Sequence, residues 1–124
     1  MALNFQVADV RNPLLAVKRI TENGNSVCFG PDAEDNYILN KRTRERIPMV
    51  ERQGSYIMEV QFVGGGATEI VVDSGAEESV CPRDWGEKLF GTDASPSKVK
   101  FRGAGGDIIQ HHGQREVLVV SSPF

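Results

Sequence analysis

The sequence predicts an all-β domain with one short helix. Seven short runs, 5–10, 26–29, 36–40, 56–63, 68–72, 98–102 and 114–120, are rich in β-branched or aromatic residues and bounded by Gly, Pro or Asn, a pattern that reads as strands between turns. Along 55–62, Tyr56, Met58, Val60 and Phe62 alternate with Ser55, Glu59 and Gln61, and only Ile57 is out of phase. That strand has one well-buried face. Helical spacing is confined to 14–23, where Leu14, Val17 and Ile20 precede the stop Asn23-Gly24,. A shorter helical turn is expected at 82–90, with Pro82 at a first helical position and Trp85 and Leu89 four apart,.

A chain of 124 residues suits one domain, 1–124, although a large substrate site at this length often needs a second subunit,. The net charge is −3 and Lys and Arg are interleaved with acids, so there is no basic stripe for phosphates and no nucleic-acid partner is expected. The longest apolar runs, such as 117–120, are too short to span a bilayer, and no charged segment followed by an apolar core opens the chain. No membrane partner and no export are expected, and the expected compartment is cytoplasmic.

Cys28 and Cys81 stand apart, without a CxxC pair or a His at ligand spacing. Buried free thiols are the preferred reading over a disulfide or a metal site, and no metal or cofactor is expected. His111 and His112 are adjacent and face opposite sides of a strand, which reads as a solvated strand end,. The charged run Lys41-Arg42-Thr43-Arg44-Glu45-Arg46 reads as an exposed hairpin, and Trp85 as a core or subunit-contact residue,.

The chemistry concentrates where the apolar run Ile70-Val71-Val72 meets Asp73-Ser74-Gly75-Ala76. A carboxylate at the end of a buried strand is poorly solvated, and the glycine lets a turn bring backbone amides to it. Two such groups brought face to face across a dimer axis cannot both ionise. They share a proton, and the pair can activate water as a base while protonating a carbonyl as an acid. Asp-Ser-Gly also marks plain turns. Ser74 lacks a Gly-x-Ser-x-Gly elbow, because Val72 stands two positions before it,. The apolar run argues against a disordered acidic motif.

The wider context is more specific. Asp73-Ser74-Gly75-Ala76-Glu77-Glu78-Ser79-Val80-Cys81-Pro82 resembles the active-site segment of retroviral-like aspartic proteases, the retropepsins, particularly those of copia-like retrotransposon polyproteins. Lys98-Val99-Lys100-Phe101-Arg102-Gly103-Ala104-Gly105-Gly106-Asp107-Ile108-Ile109, followed by Gly113, is similar to the family's flap hairpin and the strand after it. Phe5 through Val17 resembles the family's second half, in which a Leu-Leu-Ser/Gly-Val segment threads beneath the active-site loop; Ala16 stands at the small-residue position. Segments 25–29, 37–40 and 54–60 are similar to its terminal strands.

The resemblance implies a retropepsin-like closed barrel with a flap hairpin, and an aspartic endopeptidase acting on extended polypeptide without a cofactor. It implies that Asp73 is catalytic, that Ser74 and Gly75 brace its loop, and that Ala76 and the flap tip Gly103, Ala104, Gly105 and Gly106 bind substrate. One Asp per chain cannot make the dyad, so a homodimer is expected; the resemblance implies interleaved terminal strands, here 56–63 and 68–72, and their tie through 64–67 either permits the same sheet or weakens it.

The halves stand in reversed order, 1–63 resembling the family's C-terminal half and 68–124 its N-terminal half. The chain therefore reads as a circular permutant joined by the 64–67 linker, Gly64-Gly65-Gly66-Ala67; those residues also read as an ordinary flexible hairpin loop,. A different class of reading is a catalytically inactive dimerisation or peptide-binding module of the same fold. A third is an unrelated β-sandwich with a chance Asp-Ser-Gly.

Overall fold

A computed structural model describes residues 1–93, 101–102, 108–109 and 111–121. The expected substrate contacts Gly103, Ala104, Gly105 and Gly106 lie outside the described residues. The elements are β1 (Ala2–Ala8), β2 (Leu14–Ala16), α1 (Val17–Glu22), β3 (Asn25–Cys28), β4 (Tyr37–Asn40), β5 (Arg46–Arg52), β6 (Ser55–Phe62), β7 (Ala67–Asp73), β8 (Val80–Cys81), β9 (Phe101–Arg102), β10 (Ile108–Ile109) and β11 (His111–Ser121). A single 3₁₀ turn, Ala33–Asp35, precedes β4.

The all-β expectation holds, and the sheet closes. Strands β11, β1, β8, β2, β7 and β6 pair in that order, and β6 pairs back onto β11, giving a six-stranded barrel. From β6 the sheet continues outward through β5 and β4 to the end strand β3. Strand β9 pairs antiparallel with β10, Ile108 opposite Arg102. No helix among the described residues is long and apolar enough to cross a membrane.

Period-two patterning builds the interior. Leu3, Phe5 and Val7 of β1, Met58 and Val60 of β6, Ile70 and Val72 of β7, and Val117 and Val119 of β11 turn inward and are buried. Each such side chain contributes about 1.5–3 kcal/mol relative to exposure. Helix α1 has six residues, too few to be stable alone,. Buried Ile20 holds it to the core, and Asn25 Nδ2 donates to the Ile20 carbonyl at 3.0 Å.

Three local readings are corrected. The helix expected over 14–23 begins only at Val17, because Leu14, Leu15 and Ala16 extend beside Val71, Val72 and Asp73 in a parallel ladder. Leu15 is the inward residue of that strand, so the Leu14 spacing was coincidental. Segment 82–90 is a series of turns instead of a helix, and Gly86 at φ +71° breaks any continuation. Strand β5 was hidden by its charges: Ile47 and Met49 point inward between Arg46, Pro48 and Val50.

Gly64, Gly65 and Gly66 form the turn of the β6–β7 hairpin, where Gln61 faces Ala67 and all three glycines have φ near or above +95°. Those dihedrals are strained for any residue with a Cβ, which accounts for the bare glycine run. Phe62 N–H donates to the Gly66 carbonyl, and Gly65 N–H to that of Phe62.

Both cysteines are free; Cys28 is half-buried and Cys81 fully buried. Burial pushes the Cys81 thiol up to about 11, partly opposed by neighbouring Arg115. The unfolded chain loses this proton near the ordinary thiol value, whereas the folded chain keeps it. Stability therefore falls as pH rises from about 9 towards 11, by on the order of 2–3 kcal/mol. Urea unfolding across that range should show a shallower fall for Cys81→Ala than for the parent; equal slopes would remove Cys81 as the cause.

Candidate active site

Asp73 is the last residue of β7 and faces outward, on the same side of the strand as Glu69 and Val71. Its Oδ1 accepts the Gly75 N–H at 2.8 Å, so the chain turns tightly through Ser74, which is exposed. Ala76 is half-buried at the end of this turn. The structure thus brings Asp73, Ser74, Gly75 and Ala76 together in one loop. Among the described residues, no cation forms an ion pair with Asp73.

Two fastenings hold the loop. Ala16 stands opposite Asp73 in the β2–β7 ladder, and its N–H donates to the buried Ser79 hydroxyl at 2.9 Å. Arg19 of α1 donates through Nε to the Glu77 carbonyl at 3.1 Å, through Nη2 to Glu78 Oε1, and through Nη1 to Glu22 Oε2 at 2.9 Å. Its hydrogen bonds to Glu22 and Glu78 raise Arg19 above its ordinary value, so it stays charged. Sequence reasoning named neither role: Ser79 lay inside the recognised motif, whereas nothing near Arg19 signalled a partner 58 positions away.

Because the Arg19 guanidinium is part-exposed, Arg19→Met should lower global stability by only about 1 kcal/mol. Its larger effect is local. Amide exchange over 74–79 should quicken about tenfold, the loop having lost two donors. Unchanged exchange there would show that Ser79 alone fixes the loop.

Beside Asp73 runs an apolar row that the sequence did not reveal. Val71 lies two residues before Asp73 on the same face; it pairs with Ile57 on one side and Leu14 on the other. Leu14 in turn opposes Val80, and Ile57 opposes Val50. Five apolar side chains from β5, β6, β7, β2 and β8 thus line up across the outer face, all half-buried except Val50, which is 43% exposed. Only the registers make this row, and registers cannot be read from one strand at a time.

The remaining singled-out residues lie elsewhere. His112 Nε2 is 2.8 Å from Asp9 Oδ1. Trp85 packs edge-on against Phe5 and Phe62, with ring centroids 4.9 and 5.1 Å apart, and its Nε1 donates to Thr68 Oγ1 at 2.8 Å. It is a core residue. Among the described residues, no group of three His, Cys, Asp or Glu is placed to hold a metal ion. No family model, curated protein or solved structure matches this chain.

Proposed function

We propose that the chain is half of an aspartic endopeptidase, in which Asp73 from each of two copies holds and activates the hydrolytic water. The observation that carries this reading is the placement of Asp73: an outward carboxylate at the end of a buried strand, in a Gly75-closed turn, one step from the row Val71, Leu14 and Val80. An extended peptide laid along that face would seat apolar side chains on the row while its carbonyl meets the carboxylate pair. The dyad shares one proton, so activity peaks in mildly acidic solution. Under the same reading β9 and β10 are the arms of the flap, and the β6–β7 turn joins the permuted halves.

Strands β6 and β7, which the resemblance would interleave with those of a partner, are paired to each other; β6 is also bounded by β5 and β11, and β7 by β2. Among the described residues, the open edge of the nine-stranded sheet belongs to β3, which pairs there with β4 alone. Such an unpaired edge is a place where a second copy can add a strand. Helix α1 links β3 directly to Ala16, the neighbour of Asp73.

A mixed peptide library incubated at several pH values, with and without a statine-type transition-state mimic, tests the function. Cleavage suppressed by the mimic supports it. Binding without cleavage favours the inactive peptide-binding module instead, and absence of both overturns the two readings together.

A further inference from the structure

We propose that Arg52 is a specificity-determining residue, a strap laid across Ile57 that closes one end of the apolar row beside Asp73. Its role in selecting peptides rests on the peptidase reading, whereas its geometry does not. Three rows of side chains cross β5, β6 and β7 on the outer face. Val50, Ile57 and Val71 form the middle row. Glu59 and Glu69 oppose each other in the row on one side. Arg52 opposes Ser55 in the row on the other side, which by the same register leads to Asp73.

Arg52 nevertheless reaches the glutamates. Its Nη2 donates to Glu59 Oε1 at 3.0 Å and its Nη1 to Glu69 Oε2 at 2.9 Å. A guanidinium that starts in one outer row and ends in the other carries its aliphatic stem over the middle row. Because β6 lies between β5 and β7, Ile57 is the residue beneath it. Ile57 points out of the barrel and is half-buried, as are Val71, Leu14 and Val80, while Val50 at the end of the row is exposed.

The glutamates explain why the strap lies there. Like charges directly opposite on paired strands repel. One arginine shared between them gives each a charge-assisted bond from a planar fork. All three side chains are open to solvent, at 47%, 40% and 53% exposure for Arg52, Glu59 and Glu69. Salt screens such pairs, so the strap can be displaced.

A peptide side chain entering beside Asp73 therefore meets Val71, Leu14 and Val80 but is stopped before Ile57 and Val50. The site selects a branched aliphatic group of leucine size over an extended aromatic one. The test uses two peptides identical except for Leu or Trp beside the cleaved bond. Arg52→Ala should raise the Trp-to-Leu ratio of kcat/KM about tenfold, within the range a reshaped apolar pocket commands. The double change Glu59→Gln with Glu69→Gln should move the ratio the same way, and an unchanged ratio in both overturns the strap. A second readout needs no turnover. Binding of an apolar fluorescent dye should increase in Arg52→Ala, and about 1 M NaCl should increase it in the parent but not in the variant. If the parent cleaves nothing, the peptidase reading has failed and the dye decides the strap alone: equal binding with and without Arg52 overturns it.

Discussion

On the proposed peptidase reading, Asp73→Asn should abolish cleavage and leave the barrel intact. The carboxamide has nearly the shape of the carboxylate, and its oxygen still accepts the Gly75 N–H now bonded at 2.8 Å. Asp73 has no ion-pair partner among the described residues to be orphaned by the change. Stability should shift by less than about 1 kcal/mol, within the range of surface substitutions. What is lost is chemistry: a neutral amide can neither take a proton from water nor return one to a leaving amine. General acid–base assistance alone is worth about 10² to 10⁴-fold, so the remaining rate should lie at least about 10²-fold below the parent.

The proposed dimer supplies a sharper form of the same experiment. If each dyad draws one carboxylate from each chain, equal amounts of parent and Asp73→Asn chains, allowed to exchange, give about one quarter fully competent dimers. Activity per parent chain should halve, although nothing inhibitory was added. Activity that stays proportional to the parent chains would mean that each acts alone. Cleavage that survives in the pure variant removes Asp73 from the mechanism.

The strand pattern was legible because buried alternation leaves its mark within a single strand. The 56–62 phase and the 114–120 run both appear as strands, and Met58 and Val60 of the first are buried on the expected face. The site was legible only as a loop. Asp73, Ser74, Gly75 and Ala76 are contiguous, so one motif carries them, whereas Ser79 with Ala16 and Arg19 with Glu78 join positions about 60 apart. The apolar row is harder still, because Leu14 was assigned to a helix and Ile57 looked like a break in phase. That break is the outward face of the strand, where an apolar residue has a reason to be. Strand β5 was missed for the opposite reason: charged residues on its exposed face masked the two buried ones.

Arg115→Ala should destabilise the barrel by about 3–5 kcal/mol, the largest stability effect of any single side chain considered. The residue sits in β11 opposite Phe5, its side chain turned inward between outward-facing Gln114 and Glu116, and it is only 2% exposed. No carboxylate within ion-pair distance balances it among the described residues. Its partners are instead neutral acceptors on the 82–92 segment. Nη1 donates to the Trp85 carbonyl at 2.6 Å and the Pro82 carbonyl at 3.2 Å, and Nη2 donates to Thr92 Oγ1 at 2.6 Å. A cation buried on backbone dipoles is costly to desolvate, but removing it is worse, since it leaves buried acceptors without donors and a cavity of arginine size. The same segment carries Trp85, which bridges β1, β6 and β7, and Asp93, whose backbone pairs with Gln114. Its release therefore opens one wall of the barrel. Arg115→Met separates the contributions: it fills most of the volume without restoring donors, so it should recover the cavity part and no more. A domain of this size has roughly 5–15 kcal/mol in total, so the alanine variant should unfold at a much lower urea concentration, with the Trp85 fluorescence changing in the same transition. A loss under about 1 kcal/mol would show that aromatic packing, and not the guanidinium, holds this wall closed.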